Sequence, residues 1–301
     1  MKAPLMNIPN DFQSNRLLKD FTTFGIGGPA KHFVEVRTLS AMQQVLHYCH
    51  QNKLPFFILG KGSNSLFDDR GFNGVVIANR IDFLEKIQPD QWYVGAGYSF
   101  SLLGSQTARQ GLSGLEFASG IPASVGGAVY MNAGANGRET AESLISVEFV
   151  NSQGELIHFN RSDLYFHYRT SPFQKLPGAI VSATFQLTPS ETAREKQLAI
   201  IDYRKKTQPY KAKSAGCVFR NPDCGHAGAL IDQAGLKGKA IGDAEVSTVH
   251  ANFVINRGMA SSQDILALIH HIQIEVKART GVELESEVRC IAYEPSKADA
   301  C

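Results

Sequence analysis

Two glycines one residue apart, at the end of a strand-like apolar run, set the terms for this chain's fold. The run Phe56-Phe57-Ile58-Leu59 stops at Gly60-Lys61-Gly62-Ser63-Asn64-Ser65 and returns to apolar Leu66-Phe67. Glycine admits positive φ and leaves no Cβ in the way, so successive N–H groups across Gly60, Lys61, Gly62, Ser63, Asn64 and Ser65 can line one concavity and bind a phosphate. Ser63 and Asn64 add side-chain donors. The other reading is an ordinary glycine-rich surface turn. The Rossmann fingerprint is absent, because the third glycine is missing and no amphipathic helix follows. A dinucleotide held here needs a fold of another kind.

Around this turn the periodicities alternate between strand and helix. Residues 1–20 are polar and irregular and are expected to form an arm, with order beginning near Phe21. A short alternating strand over 30–36 precedes a helix over 40–52, where Ser40 and Gln43 form a capping box and Leu39, Met42, Val45, Leu46 and Cys49 recur at helical spacing. Further strands are expected at 74–78 and 92–97, and a helix from Ser101 to Gln110. Leu144 to Val150 and Glu155 to Phe159 alternate around Asn151-Ser152-Gln153-Gly154, a hairpin signature. A strand over 179–187 and a polar connector helix over 191–206 follow, and the domain boundary is expected there. Beyond it lie a loop at 207–222, short elements at 226–234 and 252–256, a helix over 261–279 stopped by Gly281, and a last strand from Glu287 to Ala292.

The bulk properties narrow the class. A chain of 301 residues, 43% hydrophobic, can bury a large core and suggests two domains. Thirty basic against 28 acidic residues, with no long basic run, ask for neither nucleic acid nor a membrane surface. No apolar leader or bilayer-length stretch is present, so the chain is expected to be cytoplasmic. Cys49, Cys217, Cys224, Cys290 and Cys301 are scattered and never CxxC, which argues against a disulfide framework or a zinc ribbon.

Four stretches can carry chemistry. Residues 120–135 are nearly all small, which suits close approach of backbone to a flat ligand; the other reading is a tightly packed helix–strand crossing. In Tyr168-Arg169-Thr170-Ser171-Pro172-Phe173 the arginine can clamp a carboxylate or cap carbonyls of the turn. Cys217 stands beside Gly216 at the start of a short apolar run. It is either a small core hydrophobe or a thiol able to donate a proton. Glu283, Glu285, Glu287 and Arg289 share one face of the expected last strand, a solvated face unless it edges a pocket. The histidines have no ligand spacing with a second donor, so no metal site is read.

Taken in order, TTFGIGG (22–28), LGKGSNSL (59–66), SGIPASVGGAVYMNAGA (119–135), YRTSPF (168–173), SAGCVFRNP (214–222), AGALIDQAGLKG (227–238), HANFVIN (250–256) and ESEVR (285–289) resemble the UDP-N-acetylenolpyruvoylglucosamine reductase family over residues about 20–292. The resemblance implies an α+β fold: an FAD-binding domain of the vanillyl-alcohol-oxidase (PCMH) type over 21–190, in two parts of about 21–80 and 81–190, then a C-terminal α+β substrate-binding domain over 191–301. It implies NADPH-dependent reduction of UDP-N-acetylglucosamine enolpyruvate to UDP-N-acetylmuramate through bound FAD, in peptidoglycan synthesis, by a monomer. Hydride would pass from NADPH to flavin N5 and from N5 to C3 of the enolpyruvyl group.

By the same resemblance, Gly60 to Ser65 would hold the FAD pyrophosphate, and Gly120, Ile121, Pro122, Ser124, Gly126, Gly127, Asn132 and Gly134 would wrap the rest of the cofactor. Arg169 and Glu287 match residues that stabilise the enolate, and Cys217 sits where the family carries its proton donor to C2, a serine in many members. Tyr168 and Asn221 match substrate positions. The stretch between Arg169 and Cys217 is too short for the family's substrate-covering insertion, so the chain resembles the short form. The competing readings are an FAD-dependent oxidase or dehydrogenase of the same fold acting on an alcohol or hydroxy acid, and a nucleotide-binding regulator without chemistry.

Overall fold

The structure, a computed structural model, describes residues 11–295. Positions 1–10 of the expected arm and 296–301 of the tail, Cys301 included, lie outside the described residues. The chain forms two compact units, each drawn from separate stretches. One takes the chain through Gln13, 32–61 and 74–203, and the other takes 14–31, 62–73 and 204 onward.

In the first unit, strand Phe56–Leu59 runs parallel to Phe72–Asn79, which lies next to Pro29–Val36. Helix α1 (Leu39–Gln51) buries Met42, Val45, Leu46 and Cys49 against this sheet. Its cap is not the expected one. Thr38 accepts from Ala41 N at 3.2 Å, two residues earlier than the Ser40 box, and Ser40 Oγ instead accepts from Gln44 Nε2.

A second sheet orders Leu156–Asn160, Leu144–Asn151, Gly178–Gln186, Gln91–Gly95 and Leu84–Gln88. The hairpin turns at 151–154 as the sequence indicates. One face packs Trp92, Val94, Val147, Phe149, Ala183 and Phe185 against α2 (Phe100–Arg109) and α3 (Val125–Met131). Val150, Ala179 and Val181 join the α1 core instead, so the strand Gly178–Gln186 is buried on both faces. Helix α4 (Ala193–Thr207) carries the chain out of this unit.

The second unit is ordered from earlier in the chain than the sequence suggests. Arg16–Leu17 pairs antiparallel with Pro29-Ala30, and Leu18, at the head of a 3₁₀ turn, is fully buried. One apolar side chain with a place in the core is enough to tie down an otherwise polar stretch. An antiparallel sheet runs Lys213–Cys217, Phe253–Asn256, Ala244–Val246, Ala240–Ile241. Helices α5 (Ala227–Gln233) and α6 (Ser262–Thr280) pack on its core.

Two expectations fail here. The loop over 207–222 contains the strand Lys213–Cys217, whose pairing with Phe253–Asn256 shifts register between Ser214 and Cys217, around Gly216 at φ +78°. This bulge removes the alternation by which a strand is read from sequence. The last strand shrinks to Arg289–Ile291, parallel to Ser65–Phe67. Glu283, Glu285 and Glu287 therefore share no strand face. They lie on an irregular strap whose backbone bonds go elsewhere: Glu287 N donates to Val218 O at 2.7 Å, and Arg220 N donates to Glu285 O at 2.9 Å. Helix α6 behaves as its sequence indicates. Ser261 and Asp264 cap it reciprocally, Ile265, Leu268, Ile269, Ile272 and Val276 are buried, and Gly281 ends it at φ +75°.

Candidate active site

In the first unit, Gly60 ends the strand Phe56–Leu59 where the loop 119–124 crosses it. A Cβ at Gly60 would run into Ser124 Oγ. Ser124 cannot simply turn aside, because that oxygen accepts from Gly127 N at 3.2 Å and caps α3. Arg80 Nη1 fixes the other side of the turn by donating to Gly60 O at 3.0 Å. Gly126 N donates to Ala96 O at 2.8 Å, and a Cβ there would sit 2.9 Å from Ala96 Cβ. Gly120, at φ +85°, donates its N–H to Ser101 Oγ at 2.7 Å. Ile121 and Pro122 form the more exposed part of the loop.

Ser119 is fully buried, yet its hydroxyl has no hydrogen-bond partner. A buried hydroxyl without a partner costs free energy, so it marks a place made for a polar group from elsewhere. A cradle of glycine backbone with one orphaned buried donor fits a phosphate-bearing cofactor such as FAD.

The far end of α3 is braced internally. Asn132 ends it in the left-handed region at φ +44°. Its Nδ2 donates to Glu139 Oε2 at 2.8 Å and His167 O at 3.0 Å, and its Oδ1 accepts from Ala141 N at 3.0 Å. The Asn132 amide is thus spent on protein partners and acts as a bracket for the loop that follows.

Arg169 stands at a tip closed by reciprocal His167 and Thr170 backbone bonds of 3.1 and 2.9 Å. Its φ of +56° is one few arginines adopt, and such strain collects at working sites. Its guanidinium donates to Gly134 O at 3.0 Å and lies 4.8 Å from the centre of the half-exposed Tyr168 ring. The carbonyl it meets belongs to the loop after α3, not to its own turn. Ser171 Oγ and Gln174 Nε2 tie the tip to Tyr130 O at 2.6 and 3.0 Å.

The second unit holds the rest of the glycine motif. Gly62, at φ +63°, packs so that a Cβ would strike Phe21 O, and its carbonyl accepts from Thr23 N at 3.2 Å. Asn64 Nδ2 donates to Glu287 O at 3.1 Å, and Ser65 opens the strand that pairs with Arg289–Ile291.

Cys217 is half-buried at the end of its strand, opposite Phe253, and is not a core residue. Buried Asn252 grips the residues after it, accepting from Phe219 N at 2.9 Å and donating to Phe219 O at 2.8 Å. Asn221 Oδ1 accepts from Ala227 N at 3.1 Å at the start of α5. Asn64, Cys217 and Glu287 thus meet through the backbone around Val218, whereas Arg169 belongs to the first unit. Sequence reasoning missed Arg80, Ser119 and Asn252. Asn252 lies inside the HANFVIN motif, but nothing local distinguishes a buried side-chain clamp from an ordinary strand start.

The FAD binding domain family matches residues 30–160, and the C-terminal domain family of UDP-N-acetylenolpyruvoylglucosamine reductase matches residues 208–291. A reductase of that name from Protochlamydia amoebophila is 74% identical over 96% of this chain and 97% of its own. One from Chlamydia muridarum is 49% identical over 96% and 97%. The crystal structure of the Thermus caldophilus reductase superposes with a TM-score of 0.80 at 38% identity, covering 93% of this chain and 99% of that one. On these grounds the chain belongs to the UDP-N-acetylenolpyruvoylglucosamine reductase family, an FAD-dependent group of oxidoreductases.

Proposed function

We propose that this chain reduces UDP-N-acetylglucosamine enolpyruvate to UDP-N-acetylmuramate with NADPH, working as a monomer in the cytoplasm. The observation that carries this reading is the backbone bond from Glu287 N to Val218 O at 2.7 Å, which brings the backbone of a carboxyl-bearing residue beside that of the thiol-bearing Cys217. When bound, FAD would supply the two-electron chemistry, a carrier able to accept hydride from NADPH and pass it to the enolpyruvyl group.

The chain's own residues do the rest. Gly60 to Ser65 and Gly120, Ile121, Pro122, Ser124, Gly126, Gly127 and Gly134 hold the cofactor, with Asn132 as their bracket. Arg169 and Glu287 stabilise the negative charge that grows on the substrate carboxylate. Cys217 gives its thiol proton to C2. Tyr168 and Asn221 contact the substrate. In this reading, residues 21–190 carry FAD and 191–301 bind the sugar nucleotide.

The test is an anaerobic absorbance trace of FAD-loaded protein. Bleaching on NADPH addition and recovery on adding the enolpyruvyl sugar nucleotide are expected. Bleaching without recovery would favour an oxidase or dehydrogenase of another substrate class.

A further inference from the structure

The tip that carries Arg169 is held from outside as well as by its own backbone. Pro172-Phe173-Gln174 forms a 3₁₀ turn directly after Ser171, with proline at the first position, where its fixed φ suits a helical start. Phe173 is buried, its ring 5.5 Å from that of Phe149 and 5.8 Å from that of Phe159, so the turn is anchored in the core of the second sheet. Gln174 starts from this fixed point. Its Nε2 donates to Tyr130 O at 3.0 Å and, five residues back, to Arg169 O at 3.0 Å, with Met131 Sδ at 3.8 Å. A primary amide nitrogen has two hydrogens and a carbonyl can only accept, so these partners fix which way the amide faces.

Tyr130 O lies in the last turn of α3, where carbonyls lack partners within the helix. One amide therefore joins the end of a helix to the carbonyl of a strained residue. The peptide link after Arg169 is pinned at both ends: its oxygen by Gln174, and its N–H, that of Thr170, by His167 O at 2.9 Å. His167 O is itself held by Asn132 Nδ2 at 3.0 Å. A residue with a Cβ at φ +56° relaxes toward negative φ unless its surroundings forbid it. Such relaxation swings the Cβ, and the guanidinium with it, away from Gly134 O. Pinning the peptide link opposes that swing where it begins.

We propose that Gln174 is a positioning residue for Arg169, its amide holding the left-handed backbone that keeps the guanidinium at Gly134 O and beside the Tyr168 ring. This rests on the reading above in which Arg169 stabilises charge growing on the substrate carboxylate. A charge set in place beforehand needs no rearrangement during the reaction, so a loosened arginine loses rate more than affinity. A bracket that served stability only would leave the two half-reactions alike. One that acts through Arg169 slows only the step in which the substrate's negative charge grows.

The experiment is stopped-flow absorbance of full-length, FAD-loaded protein, with flavin reduction by NADPH and reoxidation by saturating enolpyruvyl sugar nucleotide recorded separately. Gln174→Met, which keeps the length of the side chain and removes both donors, is expected to slow reoxidation between about tenfold and about a hundredfold, the larger figure being the cost of a misplacement of roughly 1 Å. Reduction by NADPH is expected at the wild-type rate. Gln174→Glu, nearly the same in shape and without a donor when ionised, should behave alike, and it serves where Gln174→Met does not fold. In an Arg169→Lys background Gln174→Met should add no further loss, because residues acting as one unit are not additive. Reoxidation at the wild-type rate in the Gln174 variants overturns the inference, as does a loss shared equally by the two half-reactions or one that persists in full in the Arg169→Lys background. Wild-type reoxidation by Arg169→Ala would instead overturn the reading on which it rests.

Discussion

Asn64 donates its side-chain N–H to the carbonyl of Glu287 at 3.1 Å and, at its own carbonyl, accepts from Arg289 N at 3.1 Å. The second half of the glycine motif and the strap that carries Glu287 are therefore one piece of backbone. A partly buried side-chain bond of this kind contributes about 1 kcal/mol. Asn64→Ala is expected to lower the melting temperature by about 2–4 °C, the shift such a loss produces in a chain of this size class. It should also slow reaction with the sugar nucleotide more than reaction with NADPH. A variant that melts with wild type and reacts evenly with both would show that the bond does not position Glu287.

The two glycines of the motif should fail differently. At Gly60 the added methyl meets Ser124 Oγ, which can rotate away only by abandoning its cap on Gly127 N. Losing that cap costs about 1 kcal/mol, so Gly60→Ala should fold while releasing FAD more readily. At Gly62 the methyl meets Phe21 O, which is backbone, and φ is +63°. Gly62→Ala should be the more destabilising of the two, by roughly 1–3 kcal/mol for the strained φ alone. Melting curves with flavin fluorescence of the supernatant separate the two effects, and equal behaviour of the variants would contradict the structure.

The helices other than α3, and the hairpin, were legible because their signals are local, whereas α3 (Val125–Met131), built mostly of small residues, showed no stripe. The stripe Ile265, Ile269, Ile272 and Val276 with a glycine stop marks α6, and Asn151 to Gly154 marks a turn between alternating runs. What stayed hidden depends on partners far along the chain. Lys213–Cys217 becomes a strand only against Phe253–Asn256, with a bulge that erases its alternation. Glu283 to Val288 looks like a strand in sequence, but its backbone is shared between Val218, Arg220 and Asn64.

The candidate site shows the same split. Gly60, Gly62 and the small-residue loop are visible as composition, because close backbone approach demands glycine. Ser119 and Asn252 look like any serine or asparagine until burial singles them out.

An acid-sensitive clasp sits on the turn after Ser65–Phe67. Asp68 accepts from Arg70 Nε at 2.9 Å and Nη2 at 2.7 Å, and Arg70 Nε and Nη hydrogen bonds, above the smaller coulombic effect, hold its carboxyl down to about 2. An unfolded aspartate titrates near ~3.9. The folded pKa is the lower one, so the pair stabilises the fold above about pH 4 and loses that contribution as pH falls toward 2. Arg70 is well exposed, which limits the effect to roughly 1 kcal/mol or less. The melting-temperature gap between wild type and Asp68→Asn should therefore close as pH drops from 4 to 2. A gap that stays constant over that range would assign the acid sensitivity to other carboxylates.

Cysteine at position 217 makes a sharper test of the proton donor than serine would. Both side chains carry an X–H on the same Cβ, but a thiol is more acidic than a hydroxyl by several pKa units and its sulfur reaches further from the backbone. Cys217 is half-buried at a strand end, with Gly216 at φ +78° before it and Asn252 clamping Phe219 after it, so the backbone that aims Sγ should not move when the side chain is changed. Cys217→Ser is expected to remain active, because a donor persists in the same place. Cys217→Ala is expected to be reduced by NADPH at the normal rate and then to stall, since hydride leaving toward the substrate without a proton for C2 leaves an enolate with nothing to quench it. The measurement is single-turnover absorbance of the flavin in both half-reactions, together with product analysis. Full turnover by Cys217→Ala would mean that the proton comes from solvent or from another side chain, and Glu287 would then be the next residue to replace.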